Sequence, residues 1–282
     1  IHVLEAMGRI FISEFRFQEA IDAYKRIREK YPEKLDINLA LAESYYQLKE
    51  FENAIDIYQS ILLFDDENIE AMIIMGSIYN DMKQYKDAEN IFLQAIYCAI
   101  PTMQMYYQLA MTYGNQGKFM SAVLAFQEAL QLEPNDVEIK YQLAVAYMEL
   151  YSFIIAAQYF EEYIAQNPND EIAFFLLGKC YFEIDDYPAS LLVLRQAKEL
   201  APNDHRILYY IGKSYSGLGE ESDAALTFRK ALKINPEDPE VYFALGKSYY
   251  HLNKNKKVNE TLDILNMLDR NLYNQLYKEI SK

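Results

Sequence analysis

The sequence predicts an all-α solenoid of helical hairpins, and three observations predict it. Small residues, aromatic residues and prolines recur every 34 residues over essentially the whole chain. Each period holds two apolar runs at helical spacing with a short turn between them. No linker, Ser- or Gln-rich stretch or low-complexity segment interrupts the repetition.

The unit is plainest from Met103 to Asp136. Tyr106, Leu109, Ala110 and Tyr113 mark a first helix, and Ala122, Val123, Phe126, Ala129 and Leu130 mark a second. Gly114 and Gly117 lie in the turn, Pro134 closes the second helix, and Asp136 stands where it can cap the next. Counted from Ile1, the eighth position of successive units reads Gly8, Ala42, Gly76, Ala110, Ala144, Gly178, Gly212 and Gly246. The eleventh is aromatic throughout, from Phe11 and Tyr45 to Tyr249. The twentieth is Ala except for Ser190 and Val258, and the twenty-fourth is large, from Tyr24 to Leu262.

Two antiparallel helices approach closely only where their facing residues are small. The eighth and twentieth positions meet that need, and Ala122→Leu would overpack the hairpin by roughly 1–3 kcal/mol. Proline stops the second helix because it lacks an N–H and restricts the residue before it. Asp136, Asp170, Asp204 and Asp238 then follow at N-cap positions.

Four columns in register over eight units resemble the tetratricopeptide repeat. The units run 1–34, 35–68, 69–102, 103–136, 137–170, 171–204, 205–238 and 239–268, with residues 269–282 left as a capping helix. The resemblance implies a right-handed superhelical solenoid whose first helices line a concave groove.

Some joins depart from the pattern. Lys34 stands at a cap position, so Asp36 is expected to start the second pair instead. Asp66 and Ile100 replace the closing proline, leaving Asn68 and Thr102 as the caps expected there. Tyr163 takes a place usually small, which predicts different local packing, while Pro188 opens a second helix where proline is tolerated. Near the end, Leu272, Tyr273, Leu276, Tyr277 and Ile280 share one helical face. Asp269 to Ser281 reads as a lid over the last hairpin.

The net charge is −15, and His251 to Lys282 carries six Lys/Arg against four Asp/Glu. So acidic a chain argues against nucleic acid and against an anionic membrane surface. No run reaches transmembrane length and no signal peptide is visible, so a soluble protein is expected, cytoplasmic rather than periplasmic or secreted. Ile1 already lies inside a helical pattern, which suggests a trimmed start. Cys98 and Cys180 fall in different units and read as two buried small hydrophobes rather than a disulfide.

Chemistry has no visible foothold. Gly212-Lys213-Ser214 and Gly246-Lys247-Ser248 suggest a phosphate loop, but Ile207 and Val241 stand where its first Gly is required. His2, His205 and His251 show no ligand spacing, and there is no nucleophile elbow. No enzyme, cofactor or metal site is expected.

The resemblance places the second, fifth, ninth and twelfth positions of each first helix in the groove. The fifth becomes an aromatic ladder: Tyr107, Tyr141, Phe175, Tyr209 and Phe243. The ninth runs Met111, Val145, Lys179, Lys213 and Lys247, and Arg206 joins from the second. Glu5, Asp36, Glu43 and Glu70 make the opposite end acidic, with Met148 in the apolar middle. The ladder reads either as ligand contacts or as support between repeats, and the lysines as steering charges or a solvated face. The Lys and Asn set with which chaperone-binding members hold a terminal carboxylate is missing.

The expected function is a non-catalytic scaffold or adaptor that binds a protein or peptide partner carrying acidic residues. Two alternatives stand beside it. The chain could be the targeting or substrate-presenting arm of a larger protein or enzyme cut before residue 1. It could also be a self-assembling structural scaffold.

Overall fold

The structure, a computed structural model, describes residues 2–281. The expected start of the first repeat at Ile1 lies outside the described residues. Among the described residues are seventeen α-helices and no strand.

The first helices of the hairpins are α1 (His2–Ser13), α3 (Leu35–Gln47), α5 (Ile69–Asp81), α7 (Met103–Asn115), α9 (Val137–Glu149), α11 (Glu171–Glu183), α13 (His205–Gly217) and α15 (Pro239–His251). The second helices are α2 (Phe17–Arg28), α4 (Phe51–Phe64), α6 (Tyr85–Cys98), α8 (Phe119–Leu132), α10 (Phe153–Ile164), α12 (Tyr187–Leu200), α14 (Glu221–Ile234) and α16 (Asn255–Leu268). A last helix, α17 (Arg270–Ile280), follows. The chain divides into two compact units, Ile1–Ile139 and Lys140–Lys282. Each has its own buried apolar interior, built around Tyr24, Tyr58 and Phe92 in the first and Phe160, Leu194 and Phe228 in the second.

The small eighth position has a sharper role than helix approach in general. A Cβ at Gly8 would stand 2.5 Å from the Tyr24 ring, at Gly76 2.6 Å from Phe92, and at Gly212 2.5 Å from Phe228. The large residue of the second helix therefore lies on the backbone of the first. Packing this close leaves no void, which is how a hairpin of two short helices buries a ring completely.

Every hairpin turns through one left-handed residue at the fifteenth position. Gly117 (φ 72°) and Gly219 (φ 76°) are suited to it, but Phe15, Lys49, Lys83, Tyr151, Asp185 and Asn253 adopt it too, at φ 56–60°. Two bonds hold each turn. The N–H of Lys83 donates to the Asn80 carbonyl at 2.9 Å, and that of Gln84 to the Tyr79 carbonyl at 2.8 Å; the other turns repeat them. These are the paired bonds of a Schellman helix end. Gly114 remains inside α7 and Gly217 closes α13, so neither is the turning residue.

At the joins, Asp136, Asp170 and Asp238 accept from backbone N–H groups in the next first turn at 2.9–3.3 Å, and Asp204 from Arg206 at 2.8 Å. Asn68 caps α5 by accepting from Ala71 at 3.0 Å. Thr102 makes no side-chain cap bond, and α3 starts at Leu35 rather than at Asp36, which sits in its first turn. Lys34 caps nothing with its side chain, and its backbone is extended just before the helix. Tyr163 reaches Asp170 through its hydroxyl at 2.9 Å, so the large residue closes its own repeat's join.

The lid is smaller than its sequence pattern implies. Leu276 is fully buried, and a Cβ on Gly246 would meet its Cδ2 at 2.5 Å. Leu272, Tyr273 and Ile280 are half-buried, but Tyr277 is exposed and stacks on Tyr273 at 5.9 Å. Cys180 is buried, its thiol pushed up to about 12 by burial, whereas Cys98 is only half-buried. Both thiols are free. No helix among the described residues is long and apolar enough to cross a membrane.

Candidate binding cleft

The tyrosines of the ladder rest on rings of their own hairpins, whereas Phe175 meets Tyr210 of the next hairpin at 5.6 Å. In the first unit, Tyr107 meets the edge of Phe126 at 5.8 Å, and burial raises its hydroxyl pKa. Met111, one turn on, is half-buried. In the second unit, Tyr141 lies 5.7 Å from Phe160 and 4.9 Å from Tyr163, and Tyr209 lies 6.1 Å from Phe228. Val145, Met148, Phe175 and Phe243 are half-buried as well. The ladder thus supports packing and still offers part of each ring.

The ninth-position lysines differ sharply from one another. Lys179 is half-buried. Lys247 sits 5.7 Å over Phe243 and pairs with Glu279 of α17 at 3.1 Å. Lys213 sits among three rings: Phe182 at 4.2 Å, Tyr210 at 5.0 Å and Tyr209 at 5.3 Å. No salt bridge engages it among the described residues. Burial lowers its pKa, with Lys179 acting the same way, against the opposing pull of Glu183 and Glu240. The rings supply part of what water would otherwise give the ammonium. Burial also pushes the Tyr210 hydroxyl up to about 12.

A cleft of about 410 Å³ opens beside Lys213 within the second unit. Of the expected groove residues, Tyr209, Lys213, Phe243 and Lys247 line it. Arg206 does not: it folds back on Asp204 at 2.6 Å and lies 5.4 Å over Phe175. That hydrogen bond holds the Asp204 carboxyl below its usual range. Tyr141, Val145, Phe175 and Lys179 also lie outside the cleft lining.

The cleft is not uniformly basic. Glu240 and Glu221 line it too, with Phe182, Tyr187 and His251. Glu221 opens α14 with its side chain largely buried. Its Oε1 accepts from Ser216 Oγ at 2.9 Å and lies 2.7 Å from His251 Nδ1. Burial pushes its pKa up, but the bonds from His251 and Ser216 outweigh that and hold it low. Ser248 faces the same carboxylate, yet its hydroxyl closes no bond of normal geometry. Phe182 and Glu240 occupy the twelfth and second groove positions and were open to sequence reasoning. Glu221 and Tyr187 come from second-helix starts, which only the hairpin turn carries to the groove side.

At the other end, the first unit's acidic face is partly neutralised. Glu5 pairs with Arg9 at 2.8 Å and with Lys34 at 3.9 Å. The two GKS triplets lie inside α13 and α15. Ser214 donates to the Tyr210 carbonyl at 2.9 Å and shares a 3.0 Å bond with Ser190, so it is a packing hydroxyl and not a phosphate ligand. No cluster of three or more His, Cys, Asp or Glu suited to a metal occurs among the described residues. The arrangement sets one cation, Lys213, among apolar walls with no salt bridge to it among the described residues.

Known proteins agree with this architecture. Tetratricopeptide repeat profiles match residues 11–71, 69–97, 104–136 and 153–205, and a TPR repeat profile matches 218–253. No curated protein matches the chain. Among solved structures, the C-terminal part of a TPR repeat-containing protein from Cytophaga hutchinsonii is similar at 16% identity and TM-score 0.67, over 81% of this chain and 94% of that one. YrrB, described as a TPR protein with an unusual peptide-binding site, is similar at 22% identity and TM-score 0.60, over 67% and 97%. MamA from Desulfovibrio magneticus RS-1 is similar at 24% identity and TM-score 0.57, over 60% and 96%. At these identities the likeness is one of fold. Profile matches spread from residue 11 to residue 253, on hairpins whose small, aromatic and capping positions return every 34 residues, place the chain in the tetratricopeptide repeat family.

Proposed function

We propose that this chain is a non-catalytic scaffold whose second unit takes an acidic segment of a partner protein into the cleft at Lys213. The observation that carries the reading is the ammonium itself. It is half-buried among three rings, its pKa lowered by burial, and no carboxylate pairs with it. A charge partly withdrawn from water without a salt-bridge partner is costly, and an arriving carboxylate offsets part of that cost. Phe182, Tyr209 and Phe243 supply the apolar walls around which binding energy concentrates. Glu221 and Glu240 set a limit: a densely acidic segment is repelled, so the fitting ligand carries one Asp or Glu among apolar residues. YrrB is described as having a peptide-binding site, which makes peptides the first ligand class to try.

Selection from a random peptide library tests this. The expected result is enrichment of one carboxylate flanked by apolar residues, with Lys213→Glu abolishing binding of the selected peptides. Peptides with no acidic preference, or affinity unchanged in Lys213→Glu, would end the reading.

A further inference from the structure

Two surfaces that share no lining residue with the Lys213 cleft carry opposite halves of one contact. The first is the corner where α4 ends in the first unit. Leu63 is 86% exposed and Phe64 68%, and Asp65, Asp66 and Glu67 follow directly. One period later Tyr97 and Ile100 are 91% and 90% exposed, at the end of α6. Single exposed apolar residues are ordinary, but large side chains this bare at the same edge of consecutive repeats form a patch. The three carboxylates beside it have no cationic partner among the described residues.

The second surface is a cleft of about 420 Å³ between α14, α15 and α16 in the second unit. Leu232, Tyr242 and Tyr249 give it apolar walls. Arg229, Lys233 and Lys257 stand exposed around it, and no salt bridge engages them among the described residues. Lys257 lies 5.2 Å over the Tyr249 ring, and Glu260 is the one carboxylate in the lining. This is a basic site on a protein of net charge −15.

We infer that a second copy of this chain docks its α4 corner into this cleft. Leu63 and Phe64 enter between Tyr242 and Tyr249, and Asp65, Asp66 and Glu67 face Arg229, Lys233 and Lys257. An apolar pair followed by three carboxylates without a salt bridge is complementary to an apolar cleft rimmed by three cations without one. The contact is heterologous, since the two patches differ and each copy carries both. It uses no residue of the Lys213 cleft and stands apart from the peptide-binding proposal.

Sedimentation velocity of the whole chain over a range of concentrations, at low and high salt, tests it. The average mass should rise with concentration at low salt and fall back at high salt, because ion pairs at the rim are screened. Leu63→Glu/Phe64→Glu and Arg229→Glu/Lys257→Glu should each weaken association by about tenfold or more, the size expected for losing a central anchor. All four positions are exposed, and circular dichroism checks that both variants remain folded. The decisive arm mixes the two variants in equal amounts. Each retains one good surface, so the mixture should form a dimer and stop there. A wild type that remains monomeric at every concentration would overturn the inference. So would variants that associate as well as wild type, or a mixture that stays monomeric.

Discussion

Lys213 shows how much a single position depends on its surroundings. Three lysines hold the same place in consecutive repeats and all are half-buried, yet Lys247 is paired with Glu279 and Lys213 is set among rings with its pKa lowered. The lowered pKa has a consequence for ligand binding. The ammonium loses its proton at a pH where an ordinary lysine keeps it, so affinity for an acidic peptide should fall first as pH rises into the alkaline range. Lys213→Arg, which stays charged, should extend binding to higher pH; identical profiles for the two proteins would show that Lys213 does not carry the ligand. Asp204 gives the acid side. Its carboxyl is held below the usual range by Arg206, so its contribution to stability is complete above pH 4 or so and is lost as pH falls through the lowered value. Asp204→Asn should remove that part of the acid limb of a stability titration.

At the scale of the element, the hairpin turn is the feature whose cost varies most. A left-handed residue with a side chain costs about 1–2 kcal/mol, and glycine's greater freedom when unfolded cancels part of the gain from replacing it. Lys83→Gly should therefore raise stability by roughly 0.5–1 kcal/mol, and Gly117→Lys should lower it by a similar amount. Opposite signs in thermal unfolding would support the argument; equal signs would refute it. The α17 lid gives a second test. Leu276→Ala removes a fully buried side chain that presses on Gly246, at a cost of about 2–5 kcal/mol. Because each repeat answers mainly to its neighbours, hydrogen exchange should quicken in α15 to α17 and stay unchanged in α1 to α8.

For the whole molecule, the relevant quantities are its charge and its division into two units. A net charge of −15 works against the compact state by self-repulsion, and salt screens it. Adding salt should raise the unfolding temperature, the reverse of its effect on the copy-to-copy contact inferred above. Each unit has its own buried interior. A fragment of residues 136–282, which retains the Asp136 cap of α9, should be helical and unfold cooperatively. A disordered fragment would show that the second unit depends on the first.

Sequence periodicity alone carried the fold, because a hairpin is a local structure: its small, aromatic and capping residues lie within one 34-residue unit and need no distant partner. For the same reason the aromatic ladder and the lysine column were legible by position. What sequence could not assign was how each position is used. Thr102 and Lys34 stand at cap positions and cap nothing with their side chains. Arg206 looks like a groove cation and turns back on Asp204. Glu221 enters the cleft from the start of a second helix, and Leu276 seals a repeat from a helix outside the period. Charge, burial and pairing depend on neighbours brought together by packing between helices, and only the tertiary structure decides which neighbours those are.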